Sequence, residues 1–87
     1  MLMSQKIFRM NLSVEATSAY ILICTLAEGG APVTIESVES FWNGSAEALA
    51  GALDELDRHR VIYEALDANQ LRQYFLNPPE VWENPGE

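Results

Sequence analysis

Eighty-seven residues make one domain, near the lower end of what folds alone by core burial, and a 48% hydrophobic share has to supply that core. A single cysteine and a single histidine exclude an intrachain disulfide and a metal site of ordinary ligand number, so a reducing cytoplasm is expected and no metal or other cofactor is. Thirteen acidic against five basic residues give a formal net charge of −8, which disfavours nucleic acid and anionic lipid as partners.

The apolar run from Ala19 to Cys24 is much too short to cross a bilayer, and no membrane partner is expected. The opening Met1-Leu2-Met3-Ser4-Gln5-Lys6 lacks the pattern of a secretory signal. Residues 6–12 alternate weakly, with Phe8, Met10 and Leu12 set against Ile7, Arg9 and Asn11. That alternation predicts a short strand or an ordered arm over residues 1–12.

Ser13 is suited to cap a helix that runs to about Glu28 and stops at Gly29-Gly30. Its apolar residues, Val14, Tyr20, Ile21, Leu22, Ile23, Cys24 and Leu26, cover more than one face, which suggests a central helix or one that also joins a dimer. Cys24 reads as a small core residue. Ala31-Pro32-Val33 allows only a short extended link. Thr34 then caps a second helix with Ile35, Val38, Phe41 and Trp42 at three- and four-residue spacing. Gly44 ends it and Ser45 caps a third, carrying Leu49, Leu53 and Leu56 on one side. His59, at the end of this helix, is expected to meet terminal carbonyls.

Periodicity then changes to two. Residues 61–66 and 71–76 flank a polar tip and predict an antiparallel hairpin, ended by Asn77-Pro78-Pro79. In the tail, residues 78–87, Trp82 is the one large apolar residue expected to dock. The aromatic set Trp42, Tyr63, Tyr74, Phe75 and Trp82 is assigned mainly to the core, with Tyr74 and Trp82 the two expected outside it.

Helix, extended link, helix, tight turn, helix, hairpin is the order of a winged helix-turn-helix. The stretch Ser45-Ala46-Glu47-Ala48-Leu49-Ala50-Gly51-Ala52-Leu53-Asp54-Glu55-Leu56-Asp57-Arg58-His59-Arg60-Val61-Ile62 resembles the recognition helix and first wing strand of bacterial MarR-like and ArsR-like transcriptional regulators. In those families a Leu-x-x-x-Leu-x-x-Leu helix leads through a short polar turn into a Val/Ile strand. The resemblance covers residues 13–77. It implies a mainly α fold with a small β-hairpin wing (α+β), in which three helices precede a two-stranded antiparallel hairpin. It also implies DNA binding through the third helix and the wing. Two features depart from the pattern: His59-Arg60 stand where glycine often precedes the first wing strand, and basic residues are sparse on the two DNA-facing elements.

With the leucines facing inward, the third helix turns Glu47, Ala48, Gly51, Asp54, Glu55 and Arg58 outward as the candidate partner-facing surface. Three carboxylates near a phosphate backbone repel it, and the candidate wing residues Asp67, Asn69 and Arg72 supply one base. Small Ala48 and Gly51 would admit a close protein partner. Tyr20, Ile23, Tyr74 and Trp82 are candidate dimer or docking contacts, which predicts a homodimer built on the first helix and the terminal segments. No Gly-rich phosphate loop, Cys-His pair or metal motif is present, so an enzyme is not expected. The leading expectation is an accessory protein acting through protein–protein contact. The alternative is a dimeric DNA-binding regulator using Lys6, Arg9, Arg58, Arg60 and Arg72. A DNA mimic that inhibits a nucleic-acid-binding protein ranks third.

Overall fold

The computed structural model describes residues 4–66 and 68–83. Three helices are followed by a two-stranded antiparallel hairpin, as the periodicities predict: α1 Val14–Glu28, α2 Ile35–Phe41, α3 Ala46–Arg58, β1 Ile62–Leu66 and β2 Arg72–Leu76.

Each helix begins where a hydroxyl can satisfy a free amide of its first turn. The side chains of Ser13, Thr34 and Ser45 accept from the amides of Ala16, Ser37 and Ala48. Thr34 and Ser37 form a reciprocal capping box, which compensates for the shortness of α2. Gly30, at φ +82°, turns the chain after α1 without a Cβ penalty.

Within α1 the inward stripe is Ala16, Ala19, Tyr20, Ile23 and Cys24. Its small members let α1 lie against α3, whose Leu49, Ala52, Leu53 and Leu56 are buried. Val14 and Ile21 face solvent, so α1 is apolar on more sides than it buries. From α2, Val38 enters the core and Ile35 and Trp42 cover it, while Phe41 remains exposed.

The hairpin pairs Ile62 with Leu76, Tyr63 with Phe75, Glu64 with Tyr74, Ala65 with Gln73 and Leu66 with Arg72. The extended link before α2 lies along β2, through a Thr34–Gln73 bridge and a 2.8 Å bond from Tyr74 N–H to Val33 C=O. Between α3 and β1, Arg60 takes φ +61°, the left-handed conformation that glycine would occupy at lower cost. Its amide donates to Asp57 C=O and its own carbonyl accepts from Asn77 Nδ2.

The N-terminal segment is an ordered arm but not a strand. Ser4 caps a 3-10 helix, Gln5–Arg9, and the buried residues are Ile7 and Met10, three apart, with Phe8 outside. Three-residue turns align positions i and i+3, which the period-two reading of Phe8, Met10 and Leu12 misses. Tyr20 Oη accepts from Ser4 N–H at 2.8 Å and holds the arm on α1.

At the other end a 3-10 turn, Pro79–Val81, brings Trp82 back onto the core. Its ring meets Tyr20 edge-on at 5.5 Å between centroids, and its Nε1–H donates to Asn77 C=O at 2.9 Å. Arm and tail both close over the first helix. Residues 1–3 and 84–87, parts of the expected arm and tail, lie outside the described residues.

Candidate functional site

The outward face of α3 comes from heptad-like spacing alone: once the leucines turn inward, Glu47, Gly51, Asp54 and Arg58 are exposed, and Ala48 is half-buried. Arg58 Nε donates to Asp54 Oδ2 at 3.0 Å, an exposed i,i+4 pair that neutralises the base on this face. A Cβ added at Gly51 would meet nothing within 4 Å, so no packing within the chain requires glycine there.

Glu55 does not belong to that face in the way its spacing suggests. Its two oxygens accept from Ser13 N–H at 2.8 Å and from Ser13 Oγ at 2.7 Å. One carboxylate thus anchors the start of α1 to the last turn of α3. Partial burial would raise its pKa, but the two Ser13 hydrogen bonds, with His59 and Arg58 nearby, outweigh that and hold it below the ordinary value.

Between α3 and the hairpin runs a groove. Ile35, Leu53 and Tyr74 contribute apolar surface, and Asp54, Asp57, Glu64 and Arg72 line it with charge. Arg72 Nε lies 3.0 Å from Glu64 Oε2, so the one base of the candidate wing is paired within the hairpin. Asn69 and Gln70 are exposed at the tip, and Asp67 lies outside the described residues. On the opposite face of the hairpin Tyr63 and Phe75 stack at 5.2 Å, with 44% and 39% of each exposed.

The remaining bases serve the tail and the arm. Arg60 Nε is 3.3 Å from Glu83 Oε2, and Lys6 Nζ donates to Pro79 C=O at 2.7 Å while lying over the Trp82 ring. His59 does not meet helix-end carbonyls: its Nδ1 lies 2.9 Å from the carbonyl of Glu83 in the tail, whose amide donates to His59 C=O. Arg9 is exposed in the last turn of the arm.

The structure corrects the aromatic assignment on the hairpin. Tyr74, expected outside the core, is only 6% exposed, while Tyr63 and Phe75, expected inside, form the exposed stack; Trp82 docks, also at 6% exposure, and Trp42 packs against the core. The reason is strand parity. Tyr74 shares a face with Ile62 and Leu76, over the helices, and Tyr63 and Phe75 take the other face. Tyr20 and Ile23 are also buried, so all four candidate dimer or docking contacts pack within the chain itself. Exposed apolar surface sits elsewhere, at Val14, Phe41, Leu66 and Leu71.

Among the described residues no three His, Cys, Asp or Glu side chains are placed to hold a metal ion, and no helix is long and apolar enough to cross a membrane. Cys24 is buried as expected of a core residue; burial pushes its thiol pKa up, the opposite of an activated nucleophile. Sequence reasoning missed Asp57, Glu64, Tyr63 and Phe75. No signal in the run from residue 61 fixes which strand face is outward, since Val61 and Ile62 are adjacent and both buried. Compared with known proteins, the chain matches no family model, no curated protein and no solved structure.

Proposed function

We propose that this chain is a non-catalytic, winged-helix interaction module that binds another protein through α3 and the hairpin. Its element order, the link strand beside β2 and the left-handed turn before β1 support the winged-helix reading. The observation that carries the functional reading is the state of the bases. Arg58 and Arg72, the two that a winged helix would turn to DNA, are both paired with acids of the same element or hairpin. The acids of that surface outside these two pairs are Glu47 and Asp57.

Counterion release needs cations free to replace those on the phosphates, and each acid left on the surface opposes it. A protein partner with basic residues meets no such penalty, and the exposed Tyr63–Phe75 stack offers the kind of rigid aromatic area that anchors protein interfaces. A cytoplasmic location fits this reading through the single, buried, unbridged cysteine.

The test is a fluorescence-anisotropy titration against mixed-sequence duplex DNA over a salt series. The expected result is no saturable binding at low salt. Binding that weakens steeply as salt rises would return the DNA-binding regulator to first place.

A further inference from the structure

In an antiparallel ladder successive residues point their backbone N–H and C=O alternately toward and away from the partner strand. Two bonds fix the parity here. Tyr74 N–H turns away from β1 to reach Val33 C=O at 2.8 Å, and Asn77 N–H reaches Val61 C=O at 3.0 Å. Glu64, opposite Tyr74, therefore directs its N–H and C=O to the outer side of β1, as do Ile62 and Leu66. Among the described residues none of these outward groups meets a hydrogen-bonding partner. The link before α2 covers the outer edge of β2 at Gln73–Tyr74, and β1 is buried at Ile62, so the open stretch of edge is Glu64 to Leu66.

Open edges are ordinarily blunted by charged side chains, lysine above all, by proline, by a bulge or by shortness. The five-residue β1, Ile-Tyr-Glu-Ala-Leu, has no lysine or proline, its pairing with β2 runs without interruption, and its single charge is a carboxylate, which invites a basic strand as much as it repels an acidic one. One edge face carries Tyr63 beside Phe75, with small Ala65 next to it. The other carries Glu64, whose Oε2 is paired with Arg72 at 3.0 Å, and beyond it Asp57 of α3, whose carboxylate makes no ion pair among the described residues and is the acid left for an incoming base.

We propose that β1 accepts an extended strand from a partner protein, with a lysine or arginine opposite Glu64 and apolar residues on either side of it. Main-chain bonds to Glu64 and Leu66, the exposed outward residues of β1, supply the affinity, and the alternating side chains supply the choice of partner. The basic residue projects to the face of Glu64 and reaches Asp57; its apolar neighbours fall on the other face and cover Tyr63. A second copy of this chain fits less well. Pairing about a two-fold at Glu64 would set two glutamates side by side, on partners each carrying a net charge of −8.

The inference rests on the protein-interaction reading and narrows it. The probe is a short, end-blocked, fluorescein-labelled peptide with a central lysine flanked by valine and threonine. Two control peptides replace the lysine with glutamate or N-methylate the backbone at that lysine. The expected result is saturable binding of the lysine peptide, weakened about tenfold or more by either change. Glu64→Pro, which removes the central outward N–H, abolishes it. Glu64→Lys, which keeps the backbone donor, reverses the preference toward the glutamate peptide, so the claim stands or falls even if the proline variant does not fold.

Equal binding of the parent and N-methyl peptides would overturn strand addition, as would a Glu64-dependent dimer in sedimentation. Absence of binding to both peptide and DNA would overturn this inference alone. Salt-sensitive DNA binding would overturn the reading beneath it.

Discussion

Glu55 lies one turn before the end of α3 and holds both polar groups of Ser13, so the cap of one helix is completed by the side chain of another. Glu55→Ala leaves the Ser13 amide without its charged acceptor and is expected to destabilise the fold by about 1–2 kcal/mol in urea unfolding. The acid side of the stability profile follows from the lowered pKa. The stabilisation is complete above the unfolded value of about 4.3 and is lost as pH falls through the lower folded value. Glu55→Gln should therefore flatten the decline in stability below about pH 4, read from melts at stepped pH. Tyr20 gives the alkaline counterpart. Burial pushes its phenol up to about 12, so its contribution is intact below about pH 10 and is lost as pH rises through 12. Tyr20→Phe should remove that alkaline loss and cost about 1 kcal/mol at neutral pH, since Ser4 N–H loses its acceptor. If Tyr20→Phe and the parent lose stability alike above pH 10, the alkaline transition belongs to another group.

The helices were legible because their signals are local. Ser13, Thr34 and Ser45 name the starts, and the leucine spacing of α3 names its buried stripe. The arm was not, because weak alternation and a three-residue turn place the same few apolar residues differently, and only the docking of Ile7 and Met10 decides between them. The hairpin was legible as a hairpin but not in its faces. Val61 and Ile62 are adjacent and both buried, so the run from 61 carries no parity of its own. The Val33–Tyr74 bond and the α2–α3 surface set it. Two element-scale predictions follow from this division. Gly51→Ala should raise the midpoint of thermal unfolding, by up to about 1 kcal/mol in stability, since its Cβ meets open space within an exposed helix face. Trp82→Ala should cost about 3 kcal/mol or more, since it removes the edge contact with Tyr20 and leaves the cavity at the site where arm, tail and α1 meet. A loss below 1 kcal/mol would show that the tail lies on the core without stabilising it.

At the scale of the whole molecule the charge is arranged, not merely excessive. Arg58 and Arg72 are paired on the α3–hairpin side, and Lys6 and Arg60 secure the tail. The candidate surface was half legible. Composition and helix spacing gave the acidic face of α3, but the departure of Glu55 to Ser13, the open edge of β1 and the Tyr63–Phe75 stack depend on contacts between elements distant in the chain. The measurement that tests the account most directly is a two-dimensional 1H–15N correlation spectrum of the labelled chain, titrated in parallel with the lysine peptide and with duplex DNA at low salt. Strand addition at β1 predicts shifts at the amides of Asp57, Glu64 and Leu66 with the peptide, and the spectrum stays unchanged with the DNA. Shifts along α3 and the hairpin tip on adding DNA, reversed by salt, would contradict it.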